Sequence, residues 1–152
     1  MYINITFADT QIMELRLFNS LGKTKEVFRP KNGNLVTVYC CGPTVYDYTH
    51  IGNLRTFLFE DILTRYLEYK GYEVKFVMNI TDIDDKTIKA SSINNVPLKE
   101  YTKKYENAFF EDILKLRIRK AECYPRATEH INNIVNHIKK LKELEFAYES
   151  NG

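Results

Sequence analysis

Apolar and polar residues follow one another along the chain in patterns that predict a regular order of strands and helices. Short alternating runs at residues 14–18 and 25–28 flank a polar segment with a glycine, which is the pattern of a β-hairpin. The β-branched run from Leu35 to Cys41 predicts a first strand of the main sheet, and Leu54 to Lys70 has helical character. The alternating residues 72–78 predict the next strand. Residues 35–78 therefore predict a right-handed βαβ unit with parallel strands.

The helix predicted after Leu54 carries two sets of apolar residues, so we expect it to be covered on two sides. The first set forms a stripe at helical spacing: Leu54, Phe57, Leu58, Ile62, Tyr66 and Tyr69. The second set adds another face: Phe59, Leu63 and Leu67. Helical patterns then recur at residues 86–95, 98–116 and 128–145, with breaks at 94–97 and at Tyr124-Pro125.

Composition limits the class of protein without naming it. The chain has 152 residues, which is the size of one domain, and 44% of them are hydrophobic. A net charge of +2 gives no strong field for nucleic acid or a membrane surface. No apolar run approaches the ~18 residues of a membrane span, and the start lacks a signal-peptide pattern. Three cysteines without a disulfide spacing fit a reducing compartment, so we expect a cytoplasmic protein without membrane contact.

The candidate chemistry lies in the connection between the first strand and the first helix. Residues 40–57 place a thiol pair, the hydroxyl side chains of Thr44, Tyr46 and Thr49, His50 and Gly52 in a Gly/Pro loop before a helix start. A helix N-terminus offers free N–H groups to an anion, so this layout predicts a nucleotide-phosphate site. Taken alone, a helix cap explains His50 slightly better than a phosphate contact does. The loop at residues 79–86 leaves the neighbouring strand at the same end, and we expect it to face the same site.

Several sequence blocks follow one another at the spacing of a known family. These are Cys41-Gly42-Pro43-Thr44-Val45-Tyr46-Asp47, His50-Ile51-Gly52-Asn53, Arg55-Thr56-Phe57, Asn79-Ile80-Thr81-Asp82-Ile83-Asp84-Asp85-Lys86 and Pro125-Arg126-Ala127-Thr128. Together they resemble the N-terminal part of the cysteinyl-tRNA synthetases, which are class I aminoacyl-tRNA synthetases. The resemblance implies an α/β fold, with a Rossmann-like parallel sheet and flanking helices that form the first half of a class I catalytic domain.

The resemblance also implies roles for individual residues. His50, Gly52 and Asn53 correspond to the ATP-binding signature His-Ile-Gly-His, with His50 and Asn53 as catalytic residues. Asn53 departs from the usual histidine, since it can donate a hydrogen bond but cannot carry positive charge. Gly42, Thr44 and Thr81 are similar to residues near the bound cysteine. Core packing is the expected role of Cys40.

Cys41 resembles the first zinc ligand of the family, whose Zn²⁺ coordinates the thiolate of the substrate cysteine. Zinc prefers sulfur to a neutral hydroxyl and so separates cysteine from serine. In the family the other ligands (a Cys, a His and a Glu), the Lys-Met-Ser-Lys-Ser loop and the anticodon-binding domain correspond to positions beyond residue 152. The implied substrates are cysteine, tRNA(Cys) and ATP with Mg²⁺, and the implied enzyme is a monomer with about one zinc per chain.

The ends of the chain lead to separate expectations. Residues 1–12 have weak patterning and precede Met13, so we interpret them as an extension, with Met13 as a possible start and residues 13–152 as the N-terminal part of the nucleotide-binding catalytic domain. Asn151-Gly152 would make a hairpin turn, and no strand follows, so we expect a truncated chain that is inactive alone. Two alternatives stay open: a cysteine ligase of mycothiol biosynthesis, and a non-catalytic module that binds nucleotide or cysteine.

Overall fold

The structure, a computed structural model, describes residues 14–150 and divides into two compact units at Gly33/Asn34. The expectations for residues 1–12, for Met13 and for Asn151-Gly152 lie outside the described residues. In the first unit, strand β1 (Arg16–Asn19) pairs antiparallel with β2 (Thr24–Val27). The predicted hairpin is therefore confirmed.

The second unit begins with the predicted βαβ arrangement. Strand β3 (Leu35–Cys40) leads into helix α1 (Ile51–Tyr69), and β4 (Glu73–Met78) returns beside β3. The two strands pair in parallel along their length, and this confirms the predicted parallel βαβ arrangement. Helix α1 begins before the predicted Leu54 because the residues of the His-Ile-Gly-Asn block already form its first turn.

An extended segment at residues 122–127 lies along the other edge of β4, and the sequence patterns did not predict it. Single parallel bridges join Val77 to Cys123 and Ile80 to Arg126. The pairing is short and is interrupted by Pro125, which has no N–H to donate. So short a segment has too few residues to show a period of two. It nevertheless extends the parallel pairing to a third segment.

The remaining elements are helical and follow the predicted order. They are α2 (Asp85–Ile93), α3 (Leu98–Lys115), a short 3-10 helix (Ala127–His130) and α4 (Ile131–Glu143). The predicted last helix therefore starts as a 3-10 turn and becomes α-helical only from Ile131. Within the part of the chain that the structure describes, no helix is long and apolar enough to cross a membrane.

The core of the second unit lies between β4, α1 and α3. Its buried members are Val45, Phe57, Phe76, Met78, Ile80, Phe109, Ile113, Ile118 and Ala121. Alternate residues of β4 (Val74, Phe76, Met78) are buried, as expected for a strand with one face on a core. The core thus fixes β4 and the start of the loop that follows it.

The predicted apolar faces of α1 were only partly correct, because Phe57 and Leu67 are buried whereas several of the other predicted residues are exposed. The buried residues of this helix are Phe57, Asp61, Thr64 and Leu67, whereas Ile62 and Tyr69 are 62% and 84% exposed. The Asp61 carboxylate accepts hydrogen bonds from Arg65 Nε (2.8 Å) and from the backbone N–H of Arg119 (2.9 Å). Because these bonds offset the cost of burial, a polar residue lies on the inner face and the helix is rotated from the expected orientation.

A buried ion pair joins α3 to the extended segment at residues 122–127, beside β4. Glu106 on α3 is 3% exposed, and its carboxylate accepts hydrogen bonds from Arg126 (Nε, 3.1 Å) and Lys103 (Nζ, 3.1 Å). Burial alone would raise the pKa of Glu106. The bonds from Arg126 and Lys103 outweigh burial, and the pKa lies below its usual value. The charged carboxylate is therefore the form that the fold stabilises.

This ion pair predicts a pH-dependent stability. A carboxyl group with a lowered pKa stabilises the folded state above its unfolded pKa of about 4.3, and the contribution is lost as the pH falls through the folded value. We expect Glu106→Gln to lower the free energy of unfolding by about 1.5 kcal/mol at neutral pH. The deficit should shrink as the pH falls below about 4.5. Urea denaturation over a pH series measures both effects.

The matched control for this prediction is Glu111→Gln, at an exposed position of the same helix. That variant should follow the unsubstituted protein within about 0.5 kcal/mol at every pH. A Glu106→Gln deficit that stayed constant down to acid pH would contradict the role assigned to the charge of Glu106.

Candidate active site

The loops that follow β3 and β4 are joined to each other by backbone hydrogen bonds. The N–H of Thr81 donates to the carbonyl of Pro43 (3.0 Å), and the N–H of Val45 donates to the carbonyl of Thr81 (3.1 Å). These bonds continue the parallel pairing past the ends of the strands as a bridge between Thr44 and Thr81. The expectation that both loops meet at one end of the sheet is therefore confirmed.

Gly42 and Asn79 form the closest approach between the two loops. The N–H of Gly42 donates to Asn79 Oδ1 (3.0 Å), and Asn79 Nδ2 donates to Thr81 Oγ1 (3.1 Å). A Cβ at position 42 would lie 1.7 Å from the carbonyl oxygen of Asn79, which no side chain tolerates. Glycine is required here by the packing of the loops. Because the Thr81 hydroxyl accepts from Asn79, its own proton is free to point at a ligand.

The sequence reasoning gave Asn79 no role, although its amide links Gly42 to Thr81. A signal was available, because a side-chain amide directly after a buried strand and opposite a glycine is well placed to bridge two loops. Gly42, Thr44 and Thr81, all predicted near the bound cysteine, are brought together by these contacts.

The two adjacent cysteines differ in their surroundings. Cys40 packs against the hydrophobic core, whereas Cys41 is exposed where β3 ends. Burial raises the pKa of the Cys40 thiol to about 12, and the nearby Glu60 carboxylate adds to the shift. Metals bind the thiolate form, so Cys40 is a poor ligand at neutral pH. Cys41 is the member of the pair that can reach a ligand or a metal ion.

His50 caps the N-terminus of α1. Its Nδ1 accepts a hydrogen bond from the N–H of Gly52 (3.1 Å), and its carbonyl accepts from the N–H groups of Asn53 and Leu54. With Nδ1 as the acceptor, the neutral ring carries its proton on Nε2 and can donate it outward. The side chains of His50 and Asn53 are exposed at the positive end of the helix dipole. The cap and an anion-binding role are therefore compatible.

The loop between the two candidate groups is held against α3 by tyrosines. The hydroxyl of Tyr101 donates to the carbonyl of Tyr46 (3.0 Å). The rings of Tyr48 and Tyr105 meet edge to face with their centroids 5.2 Å apart. These contacts give residues 46–48 a structural role and fix the path of the chain from the Gly42 region to His50.

The acidic residues after Thr81 are part of the scaffold. Asp82 is buried and accepts hydrogen bonds from the N–H (3.0 Å) and the hydroxyl of Thr128. Asp84 caps α2 through a reciprocal pair of bonds with Thr87. Among residues 14–150, no three His, Cys, Asp or Glu side chains are grouped so that they could hold a metal ion. The described residues can supply Cys41 as one ligand but do not complete a zinc site.

Comparison with known proteins gives a consistent result. The sequence profile of the family described as tRNA synthetases class I (C) catalytic domain matches residues 27–152. A protein named cysteine–tRNA ligase from Brachyspira hyodysenteriae is 55% identical over 91% of this chain and 29% of its own length. A relative of the same name from Thermococcus onnurineus is 48% identical over 91% of this chain and 29% of its own length. Another from Chlamydia pneumoniae is 51% identical over 93% of this chain and 30% of its own length. The chain thus spans about 29% of the length of the curated relatives it matches.

Proposed function

Because this chain belongs to the family of class I (C) tRNA synthetase catalytic domains, we propose that it forms part of a cysteine–tRNA ligase. The observation that carries the proposal is that the Gly42–Thr44 and Asn79–Thr81 loops are bonded to each other. The first of these loops leads along the chain to a helix start capped by His50. One part of this arrangement presents a thiol and hydroxyls suited to a small polar amino acid. The other part presents N–H donors suited to phosphate.

The proposed reaction has two steps. In the first step the cysteine carboxylate attacks the α-phosphorus of ATP and pyrophosphate leaves. In the second step a hydroxyl of the terminal ribose of tRNA(Cys) attacks the cysteinyl carbonyl, and AMP leaves. Such a site works through alignment and electrostatic stabilisation of the phosphate charge. His50 would donate from Nε2 to the phosphate oxygens, and Asn53 would donate from its amide. Gly42, Thr44 and Thr81 would surround the amino acid.

Cys41 would bind Zn²⁺ together with ligands outside residues 14–150, since the described residues offer only this thiol at the site. When bound, zinc would supply a Lewis acid that selects a thiolate over a hydroxyl. Mg²⁺ would accompany ATP. The three free cysteines favour a reducing compartment, and we propose a cytoplasmic monomer.

The test of this function is ATP–pyrophosphate exchange and tRNA charging by the full-length protein. We expect exchange that depends on cysteine and is at least about 100-fold weaker with serine. We also expect cysteinylation of tRNA(Cys). Cysteine-dependent exchange without transfer to tRNA would contradict the assignment as a tRNA ligase, and an absence of exchange would contradict the activation step.

A substitution at His50 separates the cap from the proposed phosphate contact. Asparagine is a good N-cap residue and can still accept from Gly52, but it lacks the outward Nε2–H. We expect His50→Asn in the full-length protein to keep its thermal stability and to lower kcat for exchange about tenfold, the value of one hydrogen bond to a charged group. Calorimetry and exchange kinetics measure the two effects.

The companion variant is His50→Ala, which loses the cap as well. Its free energy of unfolding should fall by about 1 kcal/mol, in addition to the loss of kcat. Equal exchange rates in the unsubstituted protein and in His50→Asn would reduce His50 to a helix cap.

A further inference from the structure

We infer that Thr128 is a positioning residue, which fixes Thr81 of the candidate cysteine site through the buried carboxylate of Asp82. The inference rests on the proposed function. It adds a residue that lies outside the two loops proposed to contact the substrate. Thr128 lies in the 3-10 helix, 46 positions along the chain from Asp82. It donates to Asp82 with both its N–H and its hydroxyl.

The loop after β4 is hydrogen-bonded on both sides. On one side, Thr81 exchanges backbone hydrogen bonds with Pro43 and Val45. On the other side, the N–H of Ile80 donates to the carbonyl of Pro125 (2.9 Å), and the N–H of Ala127 donates to the carbonyl of Ile80 (3.2 Å). Residues 80–82 therefore lie between the Gly42–Thr44 loop and residues 125–128, and movement of either neighbour changes their position.

The side chain of Asp82 joins this loop to Thr128. This carboxylate is 7% exposed, and its two oxygens accept the two donors of Thr128. Both oxygens of Asp82 therefore have hydrogen-bond partners inside the scaffold. These bonds to Thr128 fix the chain at the residue directly after Thr81. Loss of a hydrogen-bond partner costs more free energy at a buried carboxylate than at an exposed one. The bonds between Asp82 and Thr128 therefore hold the adjoining residues firmly.

The segment that carries Thr128 is itself bonded to α3. Arg126 is held by the buried Glu106 of α3 through two hydrogen bonds from its guanidinium. This bidentate pair sets both the distance and the angle between α3 and residues 125–128. The position of Thr81 therefore depends on that of α3, through contacts of Arg126, Thr128 and Asp82. The His50–Asn53 segment has no described hydrogen bond to residues 125–128, so the effect should be confined to the cysteine side.

The test compares Thr128→Val with Thr128→Ser in the full-length protein. Valine keeps the shape and the backbone N–H but removes the hydroxyl donor, whereas serine retains it. Thr128 is exposed, so neither variant disturbs the core. In ATP–pyrophosphate exchange we expect Thr128→Val to raise the KM for cysteine about tenfold. The KM for ATP should stay within about twofold, and Thr128→Ser should resemble the unsubstituted protein.

A second measurement follows the loop directly. The amide proton of Val45, which is bonded to the carbonyl of Thr81, should exchange with solvent at least about tenfold faster in Thr128→Val. A merely structural role would lower the melting temperature and the active fraction while leaving both KM values unchanged, and that result would overturn the inference. Unsubstituted protein without cysteine-dependent exchange would overturn the proposed function and this inference with it. Active protein with an unchanged Thr128→Val would overturn this inference alone.

Discussion

Replacing Gly42 with alanine is expected to force apart the two loops of the candidate site. The added Cβ would lie 1.7 Å from the Asn79 carbonyl oxygen and 2.8 Å from Met78 Cγ, and the first of these is backbone that cannot rotate away. We expect the free energy of unfolding to fall by at least about 3 kcal/mol. A shift of about 1 Å at Thr81 should lower cysteine-dependent exchange more than about 100-fold. Urea denaturation and exchange kinetics of the full-length protein measure these losses.

The matched control is Gly71→Ala, between α1 and β4. Gly71 has a positive φ of 87° but nothing within 4 Å of its Cβ position, whereas Gly42 does not have a positive φ. The control therefore carries backbone strain of about 1 kcal/mol without a clash, and it should leave exchange unchanged. Similar losses of stability and activity in both variants would show that the close contact with Asn79 is not the reason why position 42 requires glycine.

The βαβ unit and the meeting of the two loops could be predicted because they depend on local signals. The β-branched run of β3 and the alternation in β4 reflect burial of strand faces, and these patterns are visible in any single chain. Parallel strands then require their following loops to leave at the same end. The residues that the family resemblance assigned to cysteine were for this reason found together.

What could not be predicted depends on partners distant in the sequence. Asp61 is buried because the N–H of Arg119 donates to it, 58 positions along the chain. The pattern of apolar residues in α1 does not reveal that bond. The predicted buried face was therefore rotated relative to the observed one. The segment at residues 122–127 pairs with β4 only after the chain has passed through α3, and its sequence carries no period. The contacts of Asn79 with Gly42 and of Thr128 with Asp82 also join residues that are distant in the sequence.

The candidate site combines contacts made among the described residues with a proposed metal that needs ligands from outside them. The scaffold side of the candidate site is made within residues 14–150: the cap at His50, the glycine contact at Gly42 and the support of Asp82 by Thr128 are all internal. Cys41 differs, since its proposed metal needs further ligands. Its role is therefore the one that a single substitution tests most sharply.

Changing Cys41 to serine in the full-length protein is expected to abolish zinc binding and cysteine activation together. The serine hydroxyl stays protonated at neutral pH and is a poor ligand for Zn²⁺ compared with a thiolate. Changes to the outer partners of a metal site already cost about 10–100-fold in affinity, so loss of a direct ligand should exceed 100-fold. Cys41 is exposed, and the free energy of unfolding of the described scaffold should change by no more than about 0.5 kcal/mol. Metal analysis and exchange kinetics on the same sample measure both losses.

The matched control is Cys123→Ser, which removes another exposed thiol, in the segment beside β4. It should retain about one zinc per chain and full exchange activity, because β4 lies between the segment of Cys123 and β3. Unchanged zinc content in Cys41→Ser would exclude Cys41 from the metal site. Loss of exchange with zinc retained would instead assign Cys41 to direct contact with the amino acid, and the selectivity for cysteine over serine would then have to come from the pocket around Thr44 and Thr81.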